Sequence, residues 1–334
     1  MKKAAVIIAV ISAAVAAALL IYDGVFMKTA NVGFFAMNTY VSAELKGADS
    51  QKCAQKISDI TAQLDTEVLS RTSENSEIHS VNQNGSGVLG SELGGWIAEL
   101  LQVCKKSGGA FDFTLGGVSD LWSFGSNPRV PDGQALADAL SHSGYEKLTL
   151  SGNNLTLSDR AAVIDLGAAG KGIALDKIKE AVEKSRVSCA VVSVGGSVLL
   201  YGDKTFTVGI RDPEGGAGRY IAKLSVEQSC VSTSGSYEQS FEKDGRKYHH
   251  ILDPETGYPV DNGLVSVTVI SESGLLSDAL STACFVLGIE RGSKLAAEYG
   301  CRAVFITQDK RIYLSGVSRD VIEITDNSYT FAEQ

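Results

Sequence analysis

The sequence lacks any cluster of lysine and arginine dense enough to neutralise a phosphate backbone, and its formal net charge is −9. Nucleic acid and anionic membrane surfaces are therefore excluded as electrostatic partners. A single bound nucleotide is not, because backbone amides and a metal ion can carry its charge. The six cysteines, at 53, 104, 189, 230, 284 and 301, form no CxxC pair or other metal spacing. Cys189 and Cys284 lie in apolar runs and read as small buried hydrophobes, and no structural disulfide is expected. Internal repeats and low-complexity linkers are missing, as are a GxGxxG and a Walker sequence. What is present, 44% hydrophobic residues in 334, is ample for a folded core.

Lys2 and Lys3 precede an apolar run from Ala4 to Ile21 that only Ser12 interrupts. This is a charged n-region followed by a segment near the lower length limit for a membrane span. No small-x-small cleavage site followed by a polar start is visible, since Leu19 to Tyr22 continue the apolar run. Residues 1–28 are accordingly expected to be a signal or, by preference, an uncleaved membrane anchor. Residues 29–334 would then form the functional domain on the extracytoplasmic side.

Along that domain, Val32 to Leu45 predicts a strand pair, and Asp49 to Val68 a helix with Cys53, Ile57, Ile60 and Leu64 on one face. Ser70 to Asn82 is polar and reads as a surface loop. A helix over Ser91–Lys106 is stopped by Ser107-Gly108-Gly109, and Pro131-Asp132 opens a short one that Gly144 ends. Lys147–Leu150 and Asn154–Leu157 predict a hairpin. Ala161–Ile164 reads as a strand leading through a glycine-rich turn into a helix with Ile173, Ile178 and Val182 inward. Ser188–Tyr201, Thr205–Ile210, Tyr220–Val226 and three short runs after residue 302 supply further strands, and Arg291–Tyr299 a separate helix. Strands and helices are intermixed but hairpins dominate, which predicts an α+β fold of mainly antiparallel sheet.

Most of the interpretable chemistry lies between Val231 and Gly288. Asp278 and Thr282 stand four apart in a helix-favouring segment, so their oxygens share one face and could hold a hard cation. His250 and Asp253 precede a turn made by Pro254, Gly257 and Pro259. Thr233-Ser234-Gly235-Ser236 offers small hydroxyls and a flexible backbone able to approach a phosphate. The glycine-rich turn after Asp165 places free amides at a helix N-terminus, which attracts phosphate, although the pattern matches no standard nucleotide motif.

Taken in order, Ser232–Glu238, the His249–Val260 turn, the Ser266–Ile270 strand and the Asp278–Ala283 helix resemble the signature of the ApbE-type FAD:protein FMN transferases. The likeness extends through Ile164–Gly167 and Lys171-Gly172, Gly109–Asp112 with Leu121-Trp122, and Met37–Thr39. The resemblance implies a T-fold-like architecture and Mg²⁺-dependent cleavage of FAD at its pyrophosphate. FMN would pass to a threonine hydroxyl of an exported acceptor flavoprotein carrying a flavinylation motif, with release of AMP. It implies that Met37, Ala110, Phe111, Asp112, Asp165, Lys171 and Ile251 line the FAD site. The Ala168 carbonyl, Asp278 and Thr282 would hold the metal, with His250 as base and Asp278 assisting. Relatives often carry an aromatic where this chain has Arg71 and Thr72, and a proline near Gly116-Gly117, where a looser loop is expected here. Lipid anchoring at an early cysteine is excluded, because none precedes Cys53. Alternatives to transfer are FAD hydrolysis to FMN and AMP, a flavin-binding protein without turnover, and an anchored interaction module.

Overall fold

The computed structural model describes residues 28–215 and 218–332, so the expected anchor or signal segment at the N-terminus lies outside the described residues. Among the described residues no helix is long and apolar enough to cross a membrane.

The frame is a nine-stranded sheet in the order β1 (Thr29–Ala36), β2 (Thr39–Gly47), β6 (Val187–Val194), β7 (Ser197–Tyr201), β10 (Ser229–Gly235), β13 (Leu264–Ser271), β14 (Arg302–Thr307), β15 (Arg311–Ser315), β17 (Thr330–Phe331). Every pairing is antiparallel except the last, of β15 with β17. Both faces of its centre are covered, which explains why β14 reads as an unbroken apolar run rather than an alternating one. Ala303 and Phe305 face the helices, whereas Val304 and Ile306 face a second, three-stranded sheet of β8 (Phe206–Arg211), β9 (Tyr220–Val226) and β16 (Ile322–Ile324). The hairpin of β4 (Leu148–Ser151) and β5 (Asn154–Leu157), with β3 (Ser86–Val88), forms another small sheet, and β11 (Ser240–Lys243) with β12 (Arg246–His249) a detached ribbon.

The helices are α1 (Ser50–Gln63), α2 (Glu77–Asn84), α3 (Ser91–Lys106), α4 (Gly116–Trp122), α5 (Gly133–His142), α6 (Gly170–Glu183) and α7 (Gly274–Glu298). α5 starts where the Asp132 carboxylate accepts from the amides of Gln134 and Ala135, the capping expected of that residue. α6 buries Ile173, Ile178 and Val182 as its periodicity requires.

Several local expectations are corrected. The helix expected to run to Val68 is α-helical only to Gln63 and continues as a π-turn, Leu64–Val68. The loop expected over Ser70–Asn82 contains the start of α2, whose two apolar residues, Ile78 and Val81, are both buried; too few apolar positions made its period invisible. Ala161–Ile164 makes only an isolated parallel bridge, Val163 to Leu115. Gly116 and Gly117 open α4 rather than forming a loose loop, and a side chain at Gly116 would strike Val163. Arg291–Tyr299 is not separate: α7 runs from Gly274 to Glu298 across a kink at Gly288, whose φ of 75° is open to glycine.

Candidate active site

Two helix N-termini meet at a glycine contact. A Cβ on Gly172 of α6 would lie 2.1 Å from the Gly274 carbonyl, and one on Gly274 of α7 would lie 2.3 Å from the Gly172 carbonyl. Only glycine at both places lets the backbones approach this closely. Each helix then satisfies the other's free amides. Asp278, one turn into α7 and 4% exposed, accepts from the Gly172 amide at 3.0 Å. Asp176 of α6 reciprocates, accepting from the amides of Gly274 (2.6 Å) and Leu275 (2.9 Å) and from the Ser273 hydroxyl (3.1 Å). A carboxylate at a helix N-terminus is favoured by the exposed amides and the dipole. Asp278 is thus fixed in place by backbone geometry before any ligand is considered.

Its other oxygen faces chemistry. Asp278 Oδ1 accepts from the Ser197 hydroxyl at 3.1 Å and lies 3.3 Å from the Lys171 ammonium, which also donates to the Gly167 carbonyl at 3.3 Å. Thr282 follows one turn later on α7, its hydroxyl 3.2 Å from Ser234 Oγ. The Ala168 carbonyl accepts no hydrogen bond among the described residues. By chemistry, a partly shielded carboxylate, a hydroxyl one turn on and an unpaired carbonyl are the all-oxygen kind of donors that suit Mg²⁺, which takes few protein ligands and keeps waters or substrate oxygens.

The Thr233–Ser236 run, expected to be flexible, is mostly strand. Thr233–Gly235 belongs to β10, and its hydroxyls fasten that strand to its neighbours: Ser232 to Ser277 and Ser234 to Ser281, each at 2.8 Å, and Thr233 to Thr268 at 2.8 Å. Alternation along the strand matches the four-residue repeat along α7, so the serines serve registration of α7 on the sheet.

The two adjacent histidines divide their roles. His249 is buried and fully engaged, one ring nitrogen on the Val260 carbonyl and the other accepting from the Ile251 amide. Half-buried His250 has its Nδ1 3.2 Å from the Glu238 carbonyl. A carbonyl only accepts, so Nδ1 carries the proton and Nε2 keeps its lone pair, the tautomer a general base needs. Burial, and after it the charge of Lys171, hold the His250 pKa down to about 4, against an ordinary 6.5, so the ring is neutral at physiological pH. Burial likewise raises the Glu238 carboxyl, opposed by Lys171 and Arg211. Asp253 braces the turn, its carboxylate accepting from the Glu255 amide and its carbonyl from Gly257.

The remaining expected FAD residues are spread along a connected chain. Arg71 clamps Asp120 through both terminal nitrogens (3.0 and 2.6 Å) and Asp165 through Nε (2.8 Å). Asp165 in turn accepts from the Gly167 amide, on the turn that holds Lys171. Met37 and Asn38 form the two-residue loop between β1 and β2, both with positive φ (52° and 56°). The Met37 amide is held by Asp65 of the π-turn at 2.8 Å, and its methyl reaches Gly170 at the start of α6. Asp112 ties its own loop to the Thr114 amide and hydroxyl and to the Tyr145 amide, and burial raises its pKa. Phe111 and Ile251 are buried in the largest apolar cluster, and Ala110, next to Phe111 in sequence, is half-buried. Trp122 is fully buried and donates to the Gly257 carbonyl at 2.8 Å.

Asp176, Ser197, Glu238 and Asp65, which contact the candidate site residues, are not legible as such in the sequence. Only Asp176 had a usable signal, since Ser273-Gly274 reads as a helix start that needs acceptors.

A buried carboxylate between helix N-termini, a lysine against it and a neutral histidine of set tautomer define an enzyme site built for phosphate-ester chemistry. The chain belongs to the ApbE family, whose model matches residues 37–305. It is 36% identical over 283 residues to the FAD:protein FMN transferase of Treponema pallidum (strain Nichols), covering 78% of each chain. With an FAD:protein FMN transferase of Klebsiella pneumoniae (strain 342) it shares 33% identity over 241 residues, 70% of this chain and 76% of that one. Among solved structures, the ApbE protein of Thermotoga maritima superposes with a TM-score of 0.76 at 29% identity, covering 90% of this chain and 98% of that one. The flavinyl transferase ApbE of Pseudomonas stutzeri, in its apo form, gives 0.72 at 28%, covering 84% and 91%.

Proposed function

We propose that this protein transfers FMN from FAD to a threonine hydroxyl of an exported acceptor protein and releases AMP. We place it on the extracytoplasmic face of the cytoplasmic membrane, held by its N-terminal segment. The single observation that carries the reaction is the Asp278–Lys171 pair with a neutral His250 within reach of the Lys171 charge, its Nδ1 on the Glu238 carbonyl and its Nε2 without a partner among the described residues.

Each residue has a task that its geometry supports. Asp278, Thr282 and the Ala168 carbonyl would hold Mg²⁺, which when bound would neutralise oxygen charge on the pyrophosphate. Lys171 places a second positive charge beside the same carboxylate, within reach of a phosphate oxygen. His250 Nε2 takes the proton from the acceptor hydroxyl as that oxygen bonds to the FMN phosphorus. The bond from that phosphorus to the bridging oxygen breaks, and AMP leaves with that oxygen. Arg71 and the Gly167 amide hold Asp165 in the pose from which it meets the nucleotide.

The test is incubation of the protein with FAD, Mg²⁺ and a candidate acceptor bearing an exposed threonine, read by intact mass and nucleotide separation. An acceptor heavier by one FMN, with AMP released, is expected. Release of FMN and AMP with every acceptor unlabelled would assign hydrolysis instead, and bound but intact FAD a binding protein. Asp278→Ala should abolish turnover. His250→Ala should keep FAD binding and lose about 10²- to 10⁴-fold in transfer, the usual contribution of a general base.

A further inference from the structure

The Lys171 ammonium and a divalent cation would claim the same oxygen. Asp278 Oδ2 is committed to the Gly172 amide and Oδ1 faces Lys171 at 3.3 Å, with only Ser197 sharing it among the described residues. The carboxylate cannot turn to offer a fresh oxygen, because the Gly172–Gly274 contact and the two amide-carboxylate links fix both helix ends around it. A cation arriving at Oδ1 therefore meets the Lys171 ammonium a few ångströms away, and one of the two must yield. Lys171 is the one free to move: its side chain is 27% exposed, and its remaining anchor is a single carbonyl, that of Gly167, on the same turn. Moving it needs somewhere for the charge to go. The half-buried Glu238 carboxylate feels the Lys171 charge, and so would a pyrophosphate oxygen brought to the Gly167–Lys171 turn, where the helix amides already favour an anion.

We propose that Lys171 exchanges between Asp278 and the FAD pyrophosphate, and that this exchange couples metal binding to nucleotide binding. This rests on the reading of Asp278 as a metal ligand. Metal alone binds weakly, because it displaces an ion pair. With FAD present the ammonium transfers to phosphate, Oδ1 is released, and the metal binds more tightly; by reciprocity the metal tightens FAD by the same factor. The device makes Lys171 a positioning residue that delays full assembly of the cation site until the substrate is in place.

The experiment measures Mn²⁺ binding to the full chain without nucleotide, by paramagnetic resonance of the free ion, in the parent, Lys171→Met, Lys171→Arg and Asp278→Asn. FAD binding in chelator is followed by flavin fluorescence. Lys171→Met should bind Mn²⁺ more tightly, on the order of tenfold, within the roughly 5- to 150-fold range usual for coupled sites. It should bind FAD correspondingly more weakly, while Lys171→Arg stays near the parent in both. Mn²⁺ affinity lost in Asp278→Asn but unchanged or weakened in Lys171→Met would overturn the exchange alone. Equal Mn²⁺ affinity in Asp278→Asn and the parent would overturn the metal reading and the exchange with it. Unaltered FAD binding in Lys171→Met would remove the nucleotide half of the coupling and overturn the proposal as stated.

Discussion

His250 is the residue whose chemistry depends most on where its neighbours put it. The Glu238 carbonyl sets its tautomer, while burial and Lys171 keep it uncharged to about pH 4. Two consequences differ in sign from an ordinary surface histidine. The base form persists across neutral pH, so kcat/KM should show no ionisation from His250 above about pH 5; a limb near 6.5 that vanishes in His250→Gln would contradict this. Stability behaves in parallel. The folded pKa is depressed, so the unfolded chain binds the extra proton first between 6.5 and about 4. Its contribution is therefore fully present above 6.5 and is lost as pH falls through that window. Urea midpoints of the parent should drop more between pH 7 and 4.5 than those of His250→Gln. Sequence alone separated neither this ring from His249 nor Arg71 from an ordinary loop cation, because both distinctions arise from backbone carbonyls and carboxylates distant in the chain.

At the level of elements, the site depends on the crossing of α6 and α7. A glycine in the first turn of each helix, Gly172 and Gly274, admits the contact, and each helix lends the other an aspartate. Gly172→Ala would set a methyl against the Gly274 backbone and Asp278 Cβ, neither of which can rotate away. The helices must part, at a cost of about 1–3 kcal/mol for overpacking, and turnover should fall with the lost position of Asp278. Chemical denaturation and the transfer assay on the same sample check both; an unchanged midpoint with full activity would show that the contact is not needed. Asp176→Ala removes two amide partners and should cost about 1–3 kcal/mol, with Asp278 activity impaired although Asp176 touches no substrate group. The helices themselves were readable, α3 to the residue and α6 from its apolar spacing. Their crossing was not, since Gly172 and Gly274 look like ordinary helix-start glycines until they are placed against each other.

At the scale of the molecule, the proposed site draws on Met37, Arg71, Asp165, Lys171, His250 and Asp278, residues scattered along most of the described chain. Local pairings such as β1 with β2, β4 with β5 and β6 with β7 follow from hairpin patterns in the sequence. The pairing of β2 with β6, far apart in sequence, has no local signature and depends on burying one face of each strand against α1 and α6. A site assembled across such long connections should couple to the stability of the entire domain rather than of one loop. FAD at about a hundredfold over its dissociation constant should therefore stabilise the fold by roughly 2.7 kcal/mol, seen as an upward shift of one thermal transition. With Mg²⁺ added the shift should grow in the parent but not in Asp278→Asn. If FAD instead raised a separate, early transition and left the main one unmoved, the nucleotide would be held by a local segment, and the convergence of these distant residues on one ligand would be wrong.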